Sequence, residues 1–249
     1  MANPEIEFRT RFVPDYSGME LEEIPFCQMQ DHYGHQQTYK LDLITPPQPA
    51  AQPRPCVLFI HGGGFTQPCD KRQAYISLFA RALTREGYAV AAPDYPVFED
   101  EAQRDAGGGE AAGARKAGEA VHLAYRYLQE NAEPLGIAPE RIALMGGSAG
   151  GMSGFYAISD YPQDGYRSFV NLWGAPAPLP PLDRFPPVLS VHGNQDLLVA
   201  YEREAPIQQE LSRLGIRHEL ITLEGAGHTP LAQMDLFLPK ILELLRQTL

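Results

Sequence analysis

The stretch Arg141-Ile142-Ala143-Leu144-Met145-Gly146-Gly147-Ser148-Ala149-Gly150-Gly151 decides how the rest of the chain is read. Residues 142–145 are a short continuous apolar run, suited to a parallel strand buried on both faces. Small residues then surround a single hydroxyl. Gly146-Gly147-Ser148-Ala149-Gly150 fits G-x-S-x-G, a pattern in which the chain turns from strand into helix around a serine. The turn is abrupt, so Ser148 is expected in a strained backbone conformation with its hydroxyl presented at the strand's carboxyl end. Side chains at positions 146 and 150 would collide where strand and helix meet. The helix after the serine would aim the positive end of its dipole at the same place. Alone, the pattern also fits a glycine-rich turn without chemistry, and the neighbouring segments must discriminate.

Working outward, residues 56–60 form another apolar run, with Cys56 at its start, and end in His61-Gly62-Gly63-Gly64-Phe65. A helix is expected over about 72–86, with Ile76, Phe79 and Leu83 in phase and Gly87 as its stop. Residues 88–92 read as the next strand. The segment 98–118 is acidic and then rich in Gly and Ala. Gly107-Gly108-Gly109 predicts a mobile loop there, either a flap over a site or a plain flexible connection. A helix is expected over 114–130, with Val121, Ala124 and Leu128 as its apolar stripe, and a loop over 134–139.

Beyond Ser148, Met152, Phe155 and Ile158 suit a helix packed on the sheet, and residues 168–173 read as a strand. Residues 175–187 hold six prolines and leave little room for an inserted domain. Residues 188–191 are a strand ending in His192-Gly193-Asn194-Gln195-Asp196. A helix with Ile207, Leu211 and Leu214 in phase comes next, then a last strand, 218–223, running into Glu224-Gly225-Ala226-Gly227-His228. Met234, Phe237, Ile241 and Leu244 or Leu245 mark a closing helix. At the other end, Ile6, Phe8 and residues 9–13 suggest one strand, and the alternating stretch 38–44 a half-buried antiparallel strand. Five prolines within 46–55 make a connecting loop.

This alternation predicts an α/β fold in one domain spanning 1–249: a mostly parallel central sheet with helices on both faces and antiparallel strands at its N-terminal end. Ligands in such sheets bind outside the carboxyl ends of the strands. Each polar motif above falls at such an end, and that coincidence is stronger evidence than any one of them.

Composition narrows the function classes. The chain has 249 residues, 44% of them hydrophobic, with a formal net charge of −11. Mean hydropathy is −0.28 and the pI about 5.1, so nucleic acid and anionic membrane are not expected partners. Three cysteines, Cys27, Cys56 and Cys69, form no disulfide framework and no C-x-x-C pair. The N-terminus lacks a basic segment followed by an apolar run, so no signal peptide and a cytoplasmic location are expected, unless a leader has been removed. No stretch is apolar enough to span a membrane. No nucleotide signature or metal cluster is evident, and no cofactor is expected. His32 and His35, three apart, suit a solvated turn better than a metal.

A serine nucleophile needs a base, a histidine oriented by a carboxylate. After Ser148 the chain supplies Asp196 and then His228, each at a strand end, with Asp183 and Glu202 as weaker candidates for the acid. On these residues the chain resembles the α/β-hydrolase family, specifically its small esterases, from about residue 56 to the C-terminus. His61-Gly62-Gly63-Gly64-Phe65 resembles the H-G-G-G motif of the hormone-sensitive-lipase-like and feruloyl-esterase-like branches. The 192–196 turn is similar to that family's acid turn, and the 225–228 loop to its histidine loop. The resemblance implies Ser148 as nucleophile, His228 as base, Asp196 as the orienting acid, and the N–H groups of Gly63, Gly64 and Ala149 as an oxyanion hole. His61 would brace the loop by hydrogen bonding, and His192, at the start of a turn, is read as structural. Phe65 and Trp173 stand equally as acyl-pocket walls or as core.

Family members with this motif are mostly carboxylic ester hydrolases acting on short acyl groups, some of them on acetylated or feruloylated carbohydrates. Two departures bear on substrate. Residues 1–55 read as strands rather than as a helical cap, and the long insert between the strands ending near Trp173 and Val191 is missing. An open site disfavours long lipid chains and expects a small-molecule ester. An amidase, arylformamidase or peptidase would use the same triad, and a non-catalytic ligand-binding protein the same fold.

Overall fold

The computed structural model describes residues 13–249. Its strands are β1 (Glu20–Gln30), β2 (Gln36–Thr45), β3 (Arg54–Ile60), β4 (Ala89–Pro93), β5 (Ile137–Gly147), β6 (Phe169–Leu172), β7 (Val188–Gly193) and β8 (His218–Leu223). They form one sheet in the order β1-β2-β4-β3-β5-β6-β7-β8. The pairs β1–β2 and β2–β4 are antiparallel, and all pairs from β4 onward are parallel.

The helices are α1 (Ala74–Arg85), α2 (Glu101–Ala106), α3 (Gly109–Glu130), α4 (Ala132–Leu135), α5 (Ala149–Asp160), α6 (Glu204–Arg213) and α7 (Met234–Thr248). Successive residues of a strand point to opposite faces, and β3 shows the result. Val57 and Phe59 pack with Ile76 and Phe79 of α1 and with Phe237 and Ile241 of α7. Leu58 and Ile60 pack with Val121 of α3 and Phe155 of α5 on the other face. Because both faces are covered, β3 to β7 read as apolar runs rather than as alternations.

Two expectations need correction. The 98–118 segment is not a mobile loop, since it forms α2 and the start of α3. The Asp100 carboxylate caps α2 by accepting from Gln103 N at 2.8 Å. The glycines serve reversal and close approach rather than mobility. Gly108 and Gly109 have φ of 101° and 70° at the joint between the helices. A Cβ on Gly113 would lie 2.6 Å from Phe65 Cγ. The 134–139 segment is likewise not a loop, because α4 and the start of β5 occupy it.

The strand suggested near Ile6 and Phe8 lies outside the described residues, except Val13, which is exposed and not in a strand. β1 comes after it and is not legible in the sequence. Pro25 supplies no N–H to the ladder, and the register shifts between Pro25 and Cys27. Buried positions therefore fall at Ile24, Phe26 and then Met29, breaking the alternation a strand search relies on. The connection from β6 to β7 carries no helix.

Candidate active site

Ser148 sits between β5 and α5 with φ 55° and ψ −121°. A non-glycine residue holds such a conformation only where its surroundings impose it, at a cost of about 1–3 kcal/mol. Here Ser148 N donates to Leu172 O at 2.8 Å while Ser148 O accepts from Met152 N at 3.1 Å. One bond extends the sheet and the other begins the helix. Glycines make the crossing possible: a Cβ on Gly146 would lie 2.8 Å from Gly151 N, and one on Gly150 would lie 2.6 Å from His61 O. The Ser148 side chain makes no capping bond to α5.

The hydroxyl is used elsewhere. Ser148 Oγ lies 2.9 Å from His228 Nε2, and His228 Nδ1 lies 2.7 Å from Asp196 Oδ2. A carboxylate only accepts, which places the imidazole proton on Nδ1 and leaves Nε2 free to accept from the serine. Asp196 Oδ1 accepts from the N–H groups of Leu198 and Val199 at 2.9 and 3.0 Å. Burial raises the affinity of this carboxyl for its proton. Hydrogen bonds from His192 and His228 overcome that and hold it well below the usual carboxylate range. Asp183 and Glu202 are both exposed.

The acid turn and the histidine loop are stitched together. Gln195 N donates to Ala226 O at 2.9 Å, and Asn194 Oδ1 accepts from Gly225 N at 2.8 Å. A Cβ on Gly193 would lie 2.6 Å from Gly227 O, so only glycine lets the two segments approach. This contact fixes the distance between Asp196 and His228.

The glycine loop after β3 runs beside the serine. A Cβ on Gly62 would come within 3.1 Å of Ser148 Cβ. Gly63, Gly64 and Phe65 have φ of 116°, 64° and 63°, a left-handed path that favours glycine. Among the described residues, no acceptor engages the N–H of Gly63 or Gly64. The loop is held from several sides: Gly62 N donates to Tyr75 Oη at 2.6 Å, Tyr95 Oη donates to His61 O at 2.9 Å, and Arg104 Nη1 donates to Gly64 O at 3.0 Å. His61 is fully buried, stacks on Tyr95 at 4.1 Å, and its Nδ1 lies 2.8 Å from Gly62 O.

A family model described as BD-FAE matches residues 41–160, from β2 through the glycine loop to the end of α5. Among solved structures, the thermophilic esterase Est2 of Thermogutta terrifontis is 20% identical and superposes with a TM-score of 0.65, over 94% of this chain and 96% of that one. A putative dienelactone hydrolase of Klebsiella pneumoniae is 16% identical with a TM-score of 0.67, over 92% and 99%. The chain has the α/β-hydrolase fold. Est2 has also been solved with propionate bound and phosphorylated by paraoxon. A protein of Arabidopsis thaliana named probable isoprenylcysteine alpha-carbonyl methylesterase ICMEL1 is 24% identical over 265 residues, which cover 85% of this chain. The present chain spans about half the length of that relative, 52%.

In this chain Ala149 opens α5, directly after the serine. Phe65 and Trp173 are each 1% exposed, in the cores on opposite faces of the sheet. Phe65 packs on Tyr95, and Trp173 packs edge-on to Tyr75 and Phe237, so core packing accounts for both rings. His32 stacks on Phe98 at 3.6 Å, and His35 is 3.5 Å from Asp31. Among the described residues, no group of three or more His, Cys, Asp or Glu is arranged to hold a metal ion. None of the helices is long and apolar enough to cross a membrane, among the same residues.

His192 is placed differently from the sequence expectation. It lies inside β7 rather than in a turn, is fully buried, and touches Asp196. Glu204, on its other side, is a site residue that the motifs do not mark. A signal is nevertheless present: Ser190 and His192 are polar residues two apart in an otherwise apolar strand, so both face one side, and a buried polar pair implies a partner.

Proposed function

We propose that this chain is a serine carboxylic ester hydrolase for short-acyl esters, acting through Ser148, His228 and Asp196. The observation that carries the reading is the unbroken series from Ser148 Oγ to His228 Nε2 to Asp196 Oδ2, at 2.9 and 2.7 Å, with the serine held at positive φ. Ser148 Oγ attacks the acyl carbonyl as His228 Nε2 takes its proton. The N–H groups of Gly63, Gly64 and Ala149 stabilise the oxyanion, one such donor being worth about 2.7–4 kcal/mol. His228 then gives the proton to the departing alcohol, and an acyl group remains on Ser148. Water, deprotonated by His228, releases the acid. Asp196 keeps the Nδ1–H tautomer throughout.

The short acyl preference is supported by the helix-free connection between β6 and β7, which leaves the site without an inserted lid. The propionate bound to Est2 suits the same size of acyl group here. A site without an inserted lid would also admit a bulky alcohol group such as an acetylated or feruloylated sugar. Hydrolysis of p-nitrophenyl acetate, butyrate, decanoate and laurate tests the preference. The expected kcat/KM is highest for acetate or butyrate and falls with length. A maximum at laurate would refute the short-acyl reading, and turnover of N-formyl aryl amides with negligible ester turnover would move the assignment to an amidase.

Arg104 offers a second test. Its bond to the Gly64 carbonyl fixes the peptide next to the Gly64 N–H, one of the proposed oxyanion donors. In Arg104→Ala that loop loses one anchor while Tyr75 and Tyr95 still hold it. The expected result is a kcat lowered about three- to tenfold with KM little changed. An unchanged kcat would remove Arg104 from the account of the loop.

A further inference from the structure

The Asp196 oxygen that faces His228 has a second histidine against it. His192 Nε2 lies 3.1 Å from Asp196 Oδ2 and 2.9 Å from Val199 O, and His192 Nδ1 lies 3.0 Å from Glu204 Oε1. The His192, Asp196 and Glu204 side chains are at most 1% exposed. The mechanism above uses neither His192 nor Glu204.

Hydrogen-bond partners assign the protons. A backbone carbonyl only accepts, so Nε2 carries a proton. Nδ1 faces a carboxyl group that accepts from Asn171 Nδ2 at 3.2 Å on the same oxygen and from Gln208 Nε2 at 3.0 Å on the other. A group surrounded by N–H donors is an ionised carboxylate, and Nδ1 then carries a proton as well. Charge points the same way. Two buried carboxylates without a cation between them would be strongly disfavoured, and an imidazolium between them leaves a single net negative charge.

We propose that Glu204 keeps His192 as a standing imidazolium, and that this buried cation positions Asp196 and opposes a second positive charge on the far side of that carboxylate. The proposal deepens the triad reading and rests on it. His192 and His228 share one carboxylate oxygen. A positive charge already on one side makes a second on the other less favourable. The groups facing His192 are Asn171 from β6, Ser190 beside it in β7, the Tyr201 ring edge at 5.8 Å, Glu204 and Gln208 from α6, and Asp196 with His228 behind it. Burial opposes the charged ring, but hydrogen bonds to Asp196 and Glu204 outweigh it and raise the His192 pKa to about 9.

Two measurements on the full chain test this. In Glu204→Gln the ring loses the carboxylate that holds its second proton, while Nε2–H still faces Asp196. The acid limb of kcat/KM should move up by about one pH unit. Turnover below the limb should then fall about tenfold with KM little changed, and the plateau at higher pH should stay. A merely structural bond would lower the plateau and leave the limb in place, and that outcome, or a limb that moves down, overturns the proposal. The second measurement is nitrogen NMR of the histidine rings of the wild type at pH 7, with His192 assigned by through-bond correlation to its backbone. Both ring nitrogens are expected to be protonated, and a neutral ring overturns the proposal. This spectrum needs no turnover, so a chain without esterase activity would refute the proposed function while His192 was still judged separately.

Discussion

Ser148→Ala is expected to lower kcat/KM for p-nitrophenyl acetate by about ten-thousand-fold or more, with the fold retained. The substitution removes only the Oγ that bonds to His228. The backbone bonds to Leu172 and from Met152, which hold the turn, do not involve it. A residual rate above solvent should remain, because the N–H donors and Asp196–His228 would still act on bound ester and water. The strain at this position gives an independent reading. Alanine keeps a Cβ at φ 55°, whereas Ser148→Gly removes it, and the glycine variant should be inactive and more stable than the alanine variant by about 1 kcal/mol. Activity of Ser148→Ala comparable to wild type would mean that another group is the nucleophile.

Gly150→Ala has the largest expected effect on stability. The added methyl would press on the carbonyl oxygens of Ile60 and His61, which belong to the backbone and cannot rotate aside. β3 and α5 would have to separate, although both are locked in the core by residues such as Leu58 and Phe155. A loss of about 2–4 kcal/mol is expected, or a Tm lower by about 5–15 °C. Activity should fall further than stability does, because the same displacement carries the Gly62–Gly64 loop away from Ser148. Retention of both Tm and kcat would show that the close crossing of strand and helix is not the feature that fixes the site.

The parallel half of the sheet is legible in the sequence because burial on both faces leaves a strong mark. Runs such as 56–60 and 188–191 admit few readings, and the polar residues just after them stand out. The series Ser148, Asp196, His228 is legible for the same reason, since each comes after a strand. Segments whose residues do two jobs are harder to read. Gly107, Gly108 and Gly113 resemble a flexible loop in sequence, yet Gly107 and Gly113 let Phe98 and Phe65 pack against helices, and Gly108 turns the chain at positive φ. β1 is hidden by a proline and a bulge. His192 reads as a turn residue because a motif centred on Asp196 draws attention to the end of the strand and away from the side chain pointing inward from it. Its partner Glu204 lies on the far side of a turn, and nothing in its neighbourhood in the sequence marks it as buried.

The central claim, that Ser148 is the nucleophile of a Ser–His–Asp triad, is tested most directly by reaction with paraoxon and then peptide mass spectrometry. Ser148 Oγ would displace p-nitrophenolate from phosphorus and retain the diethylphosphoryl group. The account predicts one such group per chain, located on the peptide containing Ser148, with esterase activity lost in proportion to labelling and no labelling of Ser148→Ala. Inactivation with the adduct on another residue, or undiminished ester hydrolysis with Ser148 fully labelled, would contradict it.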